Sequence, residues 1–361
     1  MTGVTNLFFE LIQISLGNRK EFEHLPSEKE WQMLLDLANK QSLASVLIIG
    51  LEKVLSTPGI TKPKAIFEWI GIQQIIESQN RLQNDRARQL TALLGANGFR
   101  SCILKGQGTA LYYDKPELRP CGDIDIWVEG DRDIILRFAK EHGYNIPHID
   151  IKHSDIEFFQ DVPVEVHFLP SWMYCPFTNK KLQRIFTEKA ERQFTNVDEK
   201  LGFAHTTVDF DLVYSMVHIY RHIFSEGIGL RQLIDYYYIL QKSSLEQRKE
   251  VYESLKDLKM GSFVGGIMWI LYTCFGMKQV FLLCPINKKH GEFMLSEIMT
   301  AGNFGRFDER AKRIDYNKRF KKGVFQFEKN LRFVSYYPSE VLWSPFWKIW
   351  HWCWRKKKGY L

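Results

Sequence analysis

The sequence predicts an α+β fold: a small mixed β-sheet set inside a large helical lobe that N- and C-terminal segments build together. Three observations predict it. Residues 1–98 carry apolar positions at helical spacing, the helical period returns from Leu182 onward, and two-residue alternation is confined to residues 99–170. The expected organisation is a helical segment 1–98, an α/β core 99–170, a helical lobe 171–310 and a basic, Trp-rich tail 311–361. A chain of 361 residues is long enough for two domains, or for one large core with a second lobe.

The elements follow in order. Leu7, Phe8, Leu11, Ile12 and Ile14 recur near helical spacing. Ser27 and Glu30 form a capping-box pattern ahead of Trp31–Leu35. Residues 72–98 are polar-rich and free of proline, and Ala96-Asn97-Gly98 is a helix stop. Cys102-Ile103-Leu104 reads as a buried strand, then a turn at Lys105-Gly106 leads into a helix over residues 109–113. Asp123 to Val128 alternates strictly and predicts a strand, and Asp131 to His142 predicts a helix closed by Gly143. Residues 156–159 and 162–168 predict a strand pair joined through Asp161. Later, Val208–Phe224 and Leu230–Leu240 are the clearest helices, broken by Gly227-Ile228-Gly229.

Composition bounds the function. With 45% hydrophobic and 25% charged residues, the chain is neither disordered nor fibrous. Its formal net charge of +7 is local: residues 311–361 hold 13 basic and 3 acidic groups, against 36 and 39 in the remainder. A near-neutral body does not suit a protein that coats nucleic acid. The six cysteines form no Cys-x-x-Cys pair and read as reduced, mostly buried thiols of a cytoplasmic protein. No secretory signal is expected, because no basic residues precede the first apolar stretch and Glu10 interrupts it. The uncharged run of residues 261–277 reads as a buried core helix rather than a membrane span.

Three motifs carry chemistry. In Gly122-Asp123-Ile124-Asp125-Ile126, residues two apart share a strand face, so Asp123 and Asp125 project together. Paired carboxylates repel unless a cation bridges them, and Mg²⁺ suits hard oxygen ligands. An exposed polar strand face is the plain alternative, but Asp is a poor strand former. Gly122 leaves room for close approach of a ligand. Val164-Glu165-Val166-His167 alternates as well and offers Glu165 as a third carboxylate, with His167 on its face. Lys105-Gly106-Gln107-Gly108 follows a strand end, where backbone N–H groups and the Lys105 charge can hold phosphate. This is not a P-loop spacing. Arg119 is a second phosphate clamp or a surface loop arginine.

These segments resemble the bacterial uncharacterised nucleotidyltransferase family of the DNA-polymerase-β-like superfamily. The resemblance runs from Leu104-Lys105-Gly106, through Arg119-Pro120-Cys121-Gly122-Asp123-Ile124-Asp125, to Val164-Glu165-Val166-His167. It continues in His218-Ile219-Tyr220-Arg221-His222 and in Gly227 to Asp235. The resemblance implies nucleotidyl transfer from a nucleoside triphosphate to a hydroxyl acceptor. Two Mg²⁺ ions (Mn²⁺ as substitute) would sit on Asp123, Asp125 and Glu165. Lys105, Gly106, Gln107, Arg119, Gly122, His167, His222 and Arg231 would contact substrate. The superfamily's usual Gly-Ser or Gly-Gly is replaced here by Gly106-Gln107. The acceptor is left open between RNA, protein and a small molecule. Rival readings are a glycosyltransferase using Asp-x-Asp on a nucleotide sugar, and a degenerate nucleotide-binding module. The first expects a doubly wound domain before the motif. The second is opposed by three retained carboxylates.

His218 and His222 lie one helical turn apart, a zinc-compatible spacing, but no Cys or third His is near in sequence, so packing or substrate contact is expected. Arg231 and Asp235 suit an (i, i+4) salt bridge or a cleft lining. In the tail, Ser344-Pro345 predicts a helix start. Trp343, Phe346, Trp347, Trp350 and Trp354 then form one aromatic face, followed by Arg355-Lys356-Lys357-Lys358. Residues 343–358 can dock on the body, lie on an anionic membrane surface or stack on RNA.

Overall fold

The computed structural model describes residues 3–312 and 328–360, so part of the basic tail expectation, residues 313–327, lies outside the described residues. Four helices come first: α1 (Gly3–Ser15), α2 (Glu28–Lys40), α3 (Ala44–Leu55) and the long α4 (Ile66–Ala96). The predicted capping box is present on α2, with Ser27 accepting from the Glu30 backbone N–H. Among the described residues before residue 101 there is no strand. This removes the doubly wound domain that the glycosyltransferase reading needs.

The sheet follows: β1 (Ser101–Ile103), α5 (Gln107–Ala110), β2 (Ile124–Val128), α6 (Arg132–Glu141), β3 (His148–Ile149), β4 (His153–Asp155) and β5 (Val164–His167). Its five strands run in the order β1-β2-β5-β4-β3. The β2–β5 pair is parallel and the other pairs are antiparallel, so the sheet is mixed as expected. Two local expectations are corrected. The antiparallel partner of β5 is His153–Asp155, not residues 156–159. The helix after Lys105 begins at Gln107 rather than Thr109 and lasts one turn.

Helices resume with α7 (Pro176–Thr195), then a short hairpin of β6 (Val197–Asp198) and β7 (Phe203–Ala204) that the sequence pattern does not signal. α8 (Val208–Phe224), α9 (Leu230–Lys242), α10 (Leu245–Asp257), α11 (Gly261–Thr273) and α12 (Lys288–Ala301) complete the lobe. α11, the uncharged run, is buried along most of its length, as expected.

Two apolar clusters organise these elements. The smaller joins Ile124, Ile126, Val128, Val164 and Val166 with Ile135 and Ala139 of α6 and Leu90 and Leu94 of α4. The larger holds the helices of both chain ends together. β2 is buried on both faces. Its isoleucines face the small cluster. Trp127 faces the helical lobe, with its ring 4.7 Å from Phe194 and 5.9 Å from Phe210. The alternation therefore does not report one wet face. It reports two buried faces, one apolar and one carrying Asp125. The fold class is α+β.

The tail helix starts at Pro338, six residues before the predicted Ser344 cap, and runs to Lys358 with Pro345 inside it. Glu340 fixes this start. It is buried and accepts hydrogen bonds from the backbone N–H groups of Tyr174 (2.7 Å) and Cys175 (3.1 Å).

Candidate functional site

β2 and β5 run parallel with Asp125 directly beside Glu165 and Trp127 beside His167. Neighbouring residues on adjacent strands point to the same sheet face. The two carboxyl groups and the imidazole therefore converge, and their ligand atoms lie within 4.8 Å of one another. His167 Nε2 is 3.0 Å from Asp125 Oδ1 and 3.5 Å from Glu165 Oε2. Lys105, delivered by the end of β1, places Nζ 3.0 Å from Asp125 Oδ2. Asp123 stands just before β2. It is not a member of the 4.8 Å group, yet its carboxyl feels the same field.

The electrostatics record one crowded anionic centre. The charge of Asp125, and then burial, push the Asp123 carboxyl up to about 6. Burial would raise the Asp125 carboxyl, but Lys105 and the His167 hydrogen bond outweigh it and hold it low. Glu165 is lowered as well: burial opposes this, and contacts with His167 and His153 win. Burial would lower Lys105, but Asp125, Asp123 and Glu165 push it up to about 12. His167 is raised, because its bonds to the two carboxylates outweigh its burial. Lys105 is thus the internal counter-ion of the carboxylates, which is where the structure places this expected phosphate ligand.

The remaining predicted residues divide. Gly106 has φ +63° and ψ −109°, a backbone conformation that favours glycine. This turn brings Lys105 back over the strand ends. Gln107 is turned away from the site. Its side-chain amide donates to Asn84 Oδ1 (2.7 Å) on α4, so it ties the turn to that helix. Gly108 packs closely too, since a Cβ there would meet the His205 Cβ at 3.0 Å. Gly122 is exposed and open.

Arg119 is buried, and its guanidinium makes two 2.8 Å hydrogen bonds to Asp235 of α9. Tyr113 adds a third hydrogen bond to the same carboxylate at 2.6 Å. Arg119 is therefore a strut between the sheet module and the helical lobe, not a free phosphate clamp. Of the two readings of Arg231 and Asp235, the (i, i+4) bridge is not the one formed: Asp235 pairs with Arg119, and Arg231 donates to the Pro120 carbonyl at 3.1 Å. His222 lies 3.3 Å from Glu226, and its ring is 4.2 Å from that of His218. Burial lowers both histidines, with Lys105 among the charges each one feels.

Sequence reasoning missed several residues. Asn80 of α4 donates to the carbonyls of Glu117 (2.8 Å) and Arg119 (2.9 Å), and Gln83 donates to that of Gly122. These amides set the loop that leads into Asp123. Buried Asn80, Gln83, Ala87, Leu90 and Leu94 share one side of α4, and that spacing within a polar run was the available signal. Lys152 and Arg221 were also missed. Lys152 lies within electrostatic reach of Glu165 and Lys105. Arg221 is held between the rings of Trp172 and Tyr174, at 3.6 and 3.8 Å. Further along the sheet, His148, His153 and Asp155 bring three more potential ligand atoms within 4.8 Å of one another.

The donor set suits a hard divalent cation. Asp125 Oδ2 is buried against the Lys105 ammonium, and Glu165 beside it supplies further carboxylate oxygens. Residues 27–276 match the family model for uncharacterised nucleotidyltransferases. No curated protein matches the chain.

Proposed function

The chain belongs to the uncharacterised nucleotidyltransferase family, and we propose that it transfers a nucleotidyl group from a nucleoside triphosphate to a hydroxyl acceptor. Asp125 and Glu165, with Asp123 beside them, would hold Mg²⁺ or Mn²⁺ in the manner of polymerase-β-like transferases. When bound, the cation supplies charge neutralisation on the phosphates and stabilises the entering and leaving oxygens. The observation that carries this reading is the in-register pairing of Asp125 with Glu165 on parallel strands, closed over by Lys105.

The chain's own groups have distinct tasks. His167 donates from Nε2 to Asp125 and so orients that carboxylate. Lys105 neutralises the carboxylates before substrate arrives and is then available to a triphosphate oxygen. Lys152 and Arg231 add positive charge at the margin of the site. A radiolabel screen tests the reading. Each α-labelled triphosphate is incubated with protein, Mg²⁺ or Mn²⁺, and extract. Label should appear on an RNA, protein or metabolite and vanish with Asp125→Asn and with Glu165→Gln. Equal labelling by wild type and both variants would sink it.

A further inference from the structure

The tail helix Pro338–Lys358 has two different faces. Its inner face docks on the body. Trp347 stacks on Trp172 with centroids 3.9 Å apart, and His351 Nε2 lies 3.0 Å from Asp150. Trp354 lies under the Arg132 guanidinium at 4.9 Å. The aromatic stripe expected from the sequence is thereby split, because Trp347 and Trp354 turn inward while Trp343, Phe346 and Trp350 do not.

The outer face is apolar and wet. Leu342, Phe346, Ile349 and Trp350 are 59%, 67%, 64% and 49% exposed, with Trp343 at 36%. With exposed Cys353 they follow steps of three and four residues, so they form one stripe about 17 Å long. The stripe ends at exposed Lys356 and Lys357, and Lys356 lies 5.4 Å over the Trp352 ring. An apolar stripe this size on a surface helix marks a partner.

We infer that this outer face rests on an anionic lipid bilayer. Tryptophans with flanking lysines match the interface between acyl chains and negatively charged headgroups. The charge is placed for it: the last turn of the helix carries Arg355, Lys356, Lys357 and Lys358, of which Lys356 and Lys357 continue the outer stripe. The helix lies along the surface, since no described helix is long and apolar enough to cross a membrane. The inner-face contacts keep it bound to the body, so the body is carried to the bilayer with it. This inference stands apart from the nucleotidyl-transfer reading and uses none of its residues.

The test uses the full chain with vesicles of phosphatidylcholine alone or with 30% phosphatidylglycerol. Binding should be at least tenfold tighter to the anionic vesicles. Brominated acyl chains should quench Trp fluorescence. Phe346→Glu/Trp350→Glu should weaken partitioning at least tenfold, and Lys356→Glu/Lys357→Glu should remove the anionic preference, with thermal midpoints unchanged because all four positions are exposed. Absence of binding to anionic vesicles, or equal binding by Phe346→Glu/Trp350→Glu, overturns the inference. A dimer abolished by Phe346→Glu/Trp350→Glu without vesicle binding assigns the face to a second copy. RNA binding abolished by Lys356→Glu/Lys357→Glu without vesicle binding assigns it to RNA. Either result also overturns the inference.

Discussion

Arg119 and Asp235 face each other across the junction of the sheet module and the helical lobe, joined by two parallel hydrogen bonds of 2.8 Å. The loop bearing Arg119 continues directly into Asp123 and Asp125. This ion pair therefore helps set where the carboxylate strand begins relative to α9.

Breaking that pair should destabilise the fold. Asp235→Asn leaves the buried Arg119 charge uncompensated, which costs about 3–5 kcal/mol. Arg119→Met/Asp235→Leu together should lose less than Asp235→Asn alone, because neither charge is then stranded. Urea midpoints of the three proteins check this.

The carboxylate pair should be essential to transfer, and each carboxylate should also contribute to stability through its pairing with Lys105 or His167. Asp125→Asn and Glu165→Gln should each lower labelling by about two to three orders of magnitude. Thermal midpoints should fall as well, because Lys105 and His167 hold Asp125 and Glu165 ionised in the fold and each variant leaves part of that positive charge uncompensated. Parallel activity and melting measurements separate the two effects.

Gly106 and Gly122 should respond differently. At φ +63°, Gly106→Ala strains the turn that carries Lys105, at a cost of about 1–3 kcal/mol, and should weaken triphosphate binding. Gly122→Ala meets open space and should melt like wild type. Reduced nucleotide affinity in Gly122→Ala at unchanged stability would show that substrate passes over that position. Calorimetric titration with a nonhydrolysable triphosphate reads both.

A buried acid outside the carboxylate group should set one pH dependence. Asp211 on α8 accepts from Tyr112 at 2.8 Å, and burial pushes its carboxyl up to about 7. Because this pKa is raised in the folded state, the native protein binds the proton more tightly than the unfolded chain. Stability should therefore fall as pH rises from about 4 to about 7, by up to about 1.4 kcal/mol per pH unit, and level off above. Asp211→Asn should remove that slope, so its advantage over wild type grows until about pH 7. Denaturant melts from pH 5 to pH 9 check the sign.

Much of this was legible in the sequence for a physical reason. Two-residue alternation reports strand faces, so Asp125, Glu165 and His167 could be placed in strands, and a glycine after Lys105 could be read as a turn. The capping box at Ser27 and the boundaries of α8 are likewise local signals. Asn80 and Gln83 were harder, because a buried amide on a helix looks like a surface amide until the loop it holds is known. The β6–β7 hairpin is two residues per strand, too short for any period to register.

By itself the sequence determined the α+β class, the charge partition and the set of groups that can do chemistry, since these depend on residue type and on spacing within a few positions. Only the tertiary structure decided which of them meet. Arg119 and Asp235 are 116 positions apart, and nothing local marks them as partners. Packing also buried both faces of β2, turned Gln107 away from the site, and divided one aromatic stripe of the tail into a docked side and an open one. Long-range contacts assign each polar group its partner, because a buried charge must find compensation wherever the folded chain brings it.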